Sequence, residues 1–187
     1  MLYTGKGDNG TTKLFTTPSG VRISKSSLVT EALGTVDEIN AFIGLIKVAA
    51  DVKNISIGDQ GPRMSKVLHD VQQKLFIVQA EIAGSDMHIE ESMVSDMGDT
   101  INTIEGLLPP ITTFFISGGT ELAAQCDICR TVSRRAERAV IRACEAGECV
   151  VLDASKAYLN RLSSLLYAFA RLSNHFSGIT EEPPTYR

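Results

Sequence analysis

Arg130-Thr-Val-Ser-Arg-Arg-Ala-Glu-Arg-Ala-Val-Ile-Arg142 contains no glycine or proline and has the composition of a helix. Arg130, Arg134, Arg138 and Arg142 recur at every fourth residue, which places all four on one helical face. Ile128, Val132, Ala136 and Val140 form an apolar stripe on the roughly opposite face. One side of this helix therefore faces a core, and the other is a ridge of guanidiniums with Arg135 beside it. Like charges at this spacing repel by roughly a few tenths of a kcal/mol per pair, and within the stretch only Glu137 offsets them. Two readings stand at this point. The ridge is a solvated basic face, or it is a clamp for a polyanion such as a triphosphate, whose oxygens suit the planar fork of guanidinium donors.

Four further helices flank it. Leu33, Val36, Ile39, Ile43, Ile46 and Ala50 follow helical spacing between Ser27 and Ala50. On that segment Asp37, Asn40 and Gly44 share a second strip, where a small residue admits a neighbouring helix. Pro62 suits a helix start, and Met64, Val67, Leu68, Val71, Leu75, Val78 and Ile82 carry a stripe from Arg63 to Ala83, stopped by Gly84. Met93, Met97, Ile101, Ile104 and Leu108 continue from Glu90 to Leu108, where Pro109-Pro110 ends the helix. The ridge helix spans Thr120 to Ala146, with Gly147 after it. Asp153 is the expected N-cap of a last helix over Ala154–Phe176, with a stripe of Tyr158, Leu162, Leu165, Phe169 and Leu172. Asn160, Arg161, Ser164 and Arg171 lie off that stripe. No strand pattern, repeat or low-complexity run interrupts this series. The expected fold is all-α: one domain, a five-helix up-and-down bundle over residues 27–177, with an irregular arm over 1–26 and a mobile tail over 178–187.

Composition narrows the function classes. The 187 residues carry 43% hydrophobic and 21% charged side chains and a net charge of −4. A general nucleic-acid binder is more often basic, so the ridge is a local patch on an acidic protein and suits a small anion better than a duplex. The first residues lack the apolar core of a signal peptide, and runs such as Ala41–Ile46 are too short to span a bilayer, which makes a cytoplasmic location the default. Cys126 and Cys129 have CxxC spacing, with Cys144 and Cys149 further on. Inside a helix and without a nearby histidine, they read as reduced, mostly buried thiols ahead of a metal or redox site.

The arm contains Gly5-Lys6-Gly7-Asp8-Asn9-Gly10. This matches G-x-G-x-x-G, but only four residues precede it, too few for the strand a dinucleotide fold requires. Its glycines let backbone N–H groups approach phosphate, Thr4, Lys6, Thr11 and Thr12 add donors, and Asp8 is a candidate magnesium ligand. A flexible polar N-terminus is the competing reading.

Four blocks together resemble the PduO-type ATP:cob(I)alamin adenosyltransferases, the family that includes the mitochondrial enzyme of B12 metabolism. They are Tyr3-Thr-Gly-Lys-Gly-Asp-Asn-Gly-Thr-Thr; Gly34-Thr-Val-Asp-Glu-Ile-Asn; Phe114 to Gly119 running on to Arg130–Arg138; and Tyr158-Leu-Asn-Arg-Leu-Ser. The resemblance spans nearly the whole chain. It implies transfer of the 5′-deoxyadenosyl group of ATP to cob(I)alamin, giving adenosylcobalamin and triphosphate, by a homotrimer with active sites at subunit interfaces. It implies ATP with Mg2+ held by Thr4, Gly5, Lys6, Gly7, Thr12 and Lys25 of the arm, by Arg134, Arg135, Glu137 and Arg138 of the ridge, and by Asn160. It further implies that Asp37 pairs with Arg130 across subunits and that Phe114 covers the lower face of the corrin. A corrinoid reductase and a B12-dependent acceptor enzyme are the partners it implies, with no nucleic acid and no membrane.

Three positions depart from the family pattern. Ser117 stands where proline is usual, Asp127 where histidine is usual, and Ser164 where aspartate is usual. Asp127 is placed to pair with Arg130 and so to compete with Asp37. A non-catalytic trimer that binds ATP and holds or delivers adenosylcobalamin is the alternative these departures leave open.

Overall fold

The apolar spacing that marks each helix in the sequence also decides what each helix buries. A computed structural model describes residues 2–186; Met1 and Arg187, the last residue of the expected tail, lie outside the described residues. Helices α1 (Leu28–Lys53), α2 (Met64–Ile82), α3 (Glu91–Leu107), α4 (Glu121–Glu145) and α5 (Asp153–Phe176) form a bundle. α1 packs on α2 and α4, α4 on α1 and α5, and α3 on α5, so the neighbour order is α2–α1–α4–α5–α3. Tyr158, Leu162, Leu165, Phe169 and Leu172 of α5 are all buried, as are Val36, Ile39, Ile43 and Ile46 of α1. The second strip of α1 meets α2. Gln72 Nε2 donates to the Asn40 carbonyl at 3.0 Å, and a Cβ on residue 44 would stand 3.3 Å from that nitrogen. Gly44 thus permits the approach.

Several expectations are corrected. The arm is not free of strands: β1 (Thr11–Thr12) pairs antiparallel with β2 (Ile23–Ser24), Thr11 opposite Ser24. Arg22 fixes this pairing by donating to Thr11 Oγ1 and to the Thr11 carbonyl, both at 2.8 Å. Two residues per strand are too few for alternation to register in sequence. Ile128 is 52% exposed and not part of the core stripe of α4. Because α4 lies between two helices, its buried face is broader and is centred on Cys126, Cys129, Val132, Ser133, Ala136 and Val140. Pro62 does not start α2. Arg63 is the N-cap, and the Pro62 carbonyl accepts from Ile57 N at 3.0 Å within a small closed loop.

The start of α5 shows a fourth correction. Asp153 is the first helical residue and not the cap, and Leu152 caps with no side-chain bond. The free N–H groups there are met by a carboxylate from another helix. Buried Glu81 of α2 accepts from Leu152 N at 2.7 Å and from Ser155 Oγ. α1 uses the same device: Glu148, just past α4, accepts from Val29 N at 2.9 Å. Carboxylates at these N-termini satisfy orphan donors and oppose the positive end of the helix dipole.

The expected mobile tail is tied to the bundle. Ile116 N donates to the Glu182 carbonyl at 2.9 Å, and Arg171 Nε donates to Glu181 Oε2 at 2.8 Å. Arg171, placed off the apolar stripe in the sequence reading, is 4% exposed.

Removing the Glu81 carboxylate leaves the Leu152 amide and the buried Ser155 hydroxyl without their acceptor. Glu81→Ala is expected to cost about 3 kcal/mol of stability, read from the urea midpoint at constant m-value; a loss below about 0.5 kcal/mol would contradict the capping role.

Candidate functional site

The glycines of the arm make a built loop. Gly5 and Gly10 have φ of +67° and +77°, conformations side-chain-bearing residues rarely adopt. Asp8 N donates to Gly5 O at 3.2 Å and Gly10 N to Gly7 O at 3.1 Å, giving successive tight turns. The Lys25 amide donates to Gly10 O at 2.9 Å, which brings the end of β2 back onto the loop. A Cβ at residue 7 would lie 3.1 Å from Lys25 Nζ and 3.2 Å from Thr11 O. Gly7 therefore leaves room for the lysine, and the fold brings Thr4, Gly5, Lys6, Gly7, Asp8, Thr12 and Lys25 into one cationic, glycine-lined segment. A glycine-rich loop beside two lysines suits phosphate oxygens.

The ridge divides by partner. Arg134, Arg138 and Arg142 are exposed and have no carboxylate within ion-pair distance among the described residues. Arg135, at the edge of the ridge, pairs with Glu38 of α1. Glu137 accepts from Asn160 Nδ2 at 2.9 Å, linking α4 to α5. Arg130 Nε donates to Asp127 Oδ1 at 3.1 Å, and its guanidinium carbon lies 5.9 Å from the centre of the Tyr167 ring. Its terminal nitrogens keep no hydrogen-bond partner among the described residues. Asp37 is not joined to Arg130 within the chain; it accepts from Gln79 Nε2 at 3.4 Å.

Beside the ridge is a cleft of about 620 Å³. Phe114, Arg130 and Arg134 line it, and so do Ser117, Asp127 and Ser164, the three positions that depart from the family pattern. Phe114 is 80% exposed, so it does not plug the core, whereas Phe115 is half-buried beneath Arg171, with the guanidinium carbon 5.4 Å from the ring centre. The segment from Pro109 to Thr120 is held at both ends by α5. Arg171 donates to Pro109 O at 3.0 Å. Asn174 donates to Gly118 O at 2.9 Å and accepts from Thr120 N at 2.9 Å. Gly119 has φ +96°, and a Cβ there would meet Asn174 Oδ1 at 2.5 Å, so the bond requires glycine.

Tyr167, Asn174, Arg171 and Glu181 are the site residues that sequence reasoning did not select. Arg171 had a visible signal, since it is a lone charge within the apolar run Leu165–Leu172. Burial next to Asp127 and Glu181 raises the Tyr167 phenol above its ordinary range, although the arginines oppose this, so it stands beside Arg130 as a neutral ring. The cysteines lie outside this cleft. Burial pushes the Cys129 thiol up to about 12 and raises Cys126 further, with Cys129 and Asp127 adding to the effect. Both are inert core residues near neutrality.

The cobalamin adenosyltransferase family model matches residues 2–173. The corrinoid adenosyltransferase PduO of Citrobacter freundii is 35% identical over 181 residues, 93% of this chain and 50% of that protein, so the chain spans half the length of that relative. A cobalamin adenosyltransferase of Cupriavidus metallidurans is 37% identical over 180 residues, covering 95% of this chain and 90% of that one. The solved structure of a variant of the PduO-type adenosyltransferase of Lactobacillus reuteri, complexed with ATP, superposes with a TM-score of 0.81 at 25% identity, covering 100% of both chains.

The unpaired ridge predicts polyphosphate binding independent of any nucleoside. Inorganic triphosphate is expected to bind with an affinity that falls as salt rises, and Arg134→Ala is expected to weaken it about tenfold, measured by titration calorimetry. Equal affinities in both proteins would assign the ridge to surface charge alone.

Proposed function

The chain belongs to the cobalamin adenosyltransferase family, and we propose that it transfers the 5′-deoxyadenosyl group of ATP to cob(I)alamin, releasing triphosphate. The observation that carries this reading is a single cleft lined by an exposed apolar ring, Phe114, and by the two guanidiniums of Arg130 and Arg134. An apolar platform beside free cations suits a flat, reduced metal macrocycle next to a polyphosphate.

Cob(I)alamin is itself a strong nucleophile, so the protein needs to supply none. The cobalt electron pair forms the Co–C bond to the 5′ carbon as the C5′–O bond breaks, and its electrons leave with triphosphate. The chain's contribution is alignment and charge. Lys6 and Lys25 of the arm and Arg134, Arg135 and Arg138 of the ridge neutralise the departing oxygens; Thr4, Gly5, Gly7 and Thr12 seat the phosphates, while Glu137 and Asn160 fix the nucleoside side of the site. Arg135 exchanges its Glu38 contact for ATP in this reading. Among the described residues there is no cluster of three or more carboxylate, histidine or cysteine ligands. The arm offers one exposed carboxylate, Asp8, folded back over Gly5. That fits Mg2+ arriving on the nucleotide, bound chiefly by phosphate oxygens and water, with Asp8 as its protein ligand. The ion would add positive charge against the leaving group.

A homotrimer with interfacial sites accounts for three features of the single chain. No hydrogen bond or ion pair joins the arm to the ridge among the described residues. Arg130 spends only Nε on Asp127, which leaves its terminal nitrogens for Asp37 of a neighbouring copy, so Asp127 and Asp37 take different edges of one guanidinium. Leu45, Val48 and Val52 leave an apolar strip exposed on α1, the kind of face a subunit contact covers. Sedimentation at three times the chain mass of 20.2 kDa supports this assembly, and a monomer active at assay concentration contradicts it.

Phe114, placed beneath the corrin, excludes a lower axial ligand and eases reduction of Co(II) to Co(I). Phe114→Ala is expected to slow turnover started from cob(II)alamin with a reductant by about 100-fold or more, and turnover from pre-reduced cob(I)alamin by about tenfold or less. Equal losses in the two anaerobic assays would refute the shielding role.

A further inference from the structure

Arg171 is an uncommon object: a guanidinium on the most buried helix, 4% exposed, with two of its nitrogens and one face engaged. Nε donates to Glu181 of the tail at 2.8 Å, a terminal nitrogen donates to Pro109 O at 3.0 Å, and the plane lies over Phe115. Burying a charge in this way is unfavourable unless a countercharge and full hydrogen bonding accompany it. Both partners belong to segments that wall the cleft. Pro109 begins the stretch that reaches Phe114, and Glu181 also lines the cleft. A further bond, Ile116 N to Glu182 O at 2.9 Å, zips the two segments together two residues beyond Phe114. Bulk hydrophobicity would hold the stretch Ile111–Ile116 poorly, because Ile111, Phe114 and Ile116 are all exposed.

We propose that Arg171 is a positioning residue for the adenosyl transfer: by joining Pro109, Phe115 and Glu181 it sets the height and tilt of Phe114 in the cleft. This rests on the function proposed above. Arg171 touches neither substrate in this account; it acts through Phe114. The tail residue Glu181 is its counter-ion and therefore part of the positioning device. Lysine cannot reproduce it, since a point-charge ammonium on a flexible stem cannot engage Glu181 and Pro109 together at the fixed angles of a planar fork.

The test is a double-mutant cycle. Arg171→Lys alone is expected to lower turnover from cob(II)alamin by about tenfold, with the KM for ATP changed by less than about twofold. In a Phe114→Ala background the same substitution is expected to change cob(II)alamin turnover by less than about twofold, because the ring it positions is gone. Equal losses in both backgrounds would mean that Arg171 only supports the fold, and would overturn the proposal. Glu181→Gln, a substitution in the tail outside the helices, is expected to move the same ratio in the same direction by a smaller factor, and no change in it would also count against the device. Hydrogen exchange at the Ile116 amide gives a readout that needs no turnover. It is expected to quicken in Arg171→Lys while core amides of α1 and α4 keep their protection, and unchanged exchange at Ile116 would overturn the latch. If the wild-type chain yields no adenosylcobalamin, the proposed function falls, and the Ile116 measurement alone then decides whether the latch exists.

Discussion

The bundle depends on where α4 is placed. It packs on α1 along one side and on α5 along the other, so its buried face is wide and takes small residues, Ala123, Cys126, Cys129, Ser133, Ala136 and Ala143. Small side chains on the middle helix let both neighbours approach. What remains of α4 is a strip that no helix covers, and that strip carries the arginines. Crowding guanidiniums on one helix is unfavourable in isolation. The packing of the opposite face compensates for it, so Arg134 and Arg138 stand without a local counter-ion among the described residues. A charge cluster held ready in this way needs little reorganisation when negative charge develops on a leaving group.

The same economy appears at the helix ends. Glu81 reaches from α2 to the start of α5, and Glu148 from the end of α4 to the start of α1. The second bond has a functional bearing. Val29 lies just after Lys25, so the Glu148 contact anchors the helix whose first turn carries the arm. Strand pairing through Arg22 and the Lys25–Gly10 bond then give the arm its shape. A glycine-rich N-terminus is thereby held as a loop with a lysine folded against Gly7. At the other end of α5, Asn174 and Arg171 anchor the Phe114 segment through groups on one face of the helix, three residues apart.

Much of this was legible in sequence because periodicity reports burial directly. The five helices lie within a few residues of where their stripes place them, and Gly44 on the second strip of α1 meets α2. The Arg130–Asp127 pairing follows from their spacing of three residues on a helix. What failed were features set by tertiary context. Ile128 has a core-like identity, yet the helix is rotated by the demands of two neighbours, and the CxxC cysteines occupy the core instead. Asp153 has the right identity for a cap, but a distant carboxylate, Glu81, occupies that role, and local pattern cannot reveal a partner from another helix. The tail was read as mobile from its prolines and charges, while Glu181 and Glu182 are each bonded to groups more distant in sequence. Phe114, Arg130 and Arg134, which the family blocks single out, line one cleft, because these side chains sit on regular elements or on a segment braced by them. The Asp37–Arg130 pair that the resemblance implies is not formed within the chain, where Asp37 accepts from Gln79. The Arg171 brace was missed because an arginine off an apolar stripe reads as a solvated charge until burial is known.

The central claim is that free guanidiniums beside an apolar platform drive displacement of triphosphate by a cobalt nucleophile. The most direct measurement is anaerobic mixing of the protein with chemically reduced cob(I)alamin and Mg-ATP, following adenosylcobalamin by its absorption and the released phosphate species by chromatography. The account predicts adenosylcobalamin and intact triphosphate in equal amounts. Cobalamin left unchanged, with ATP bound but uncleaved, would contradict it.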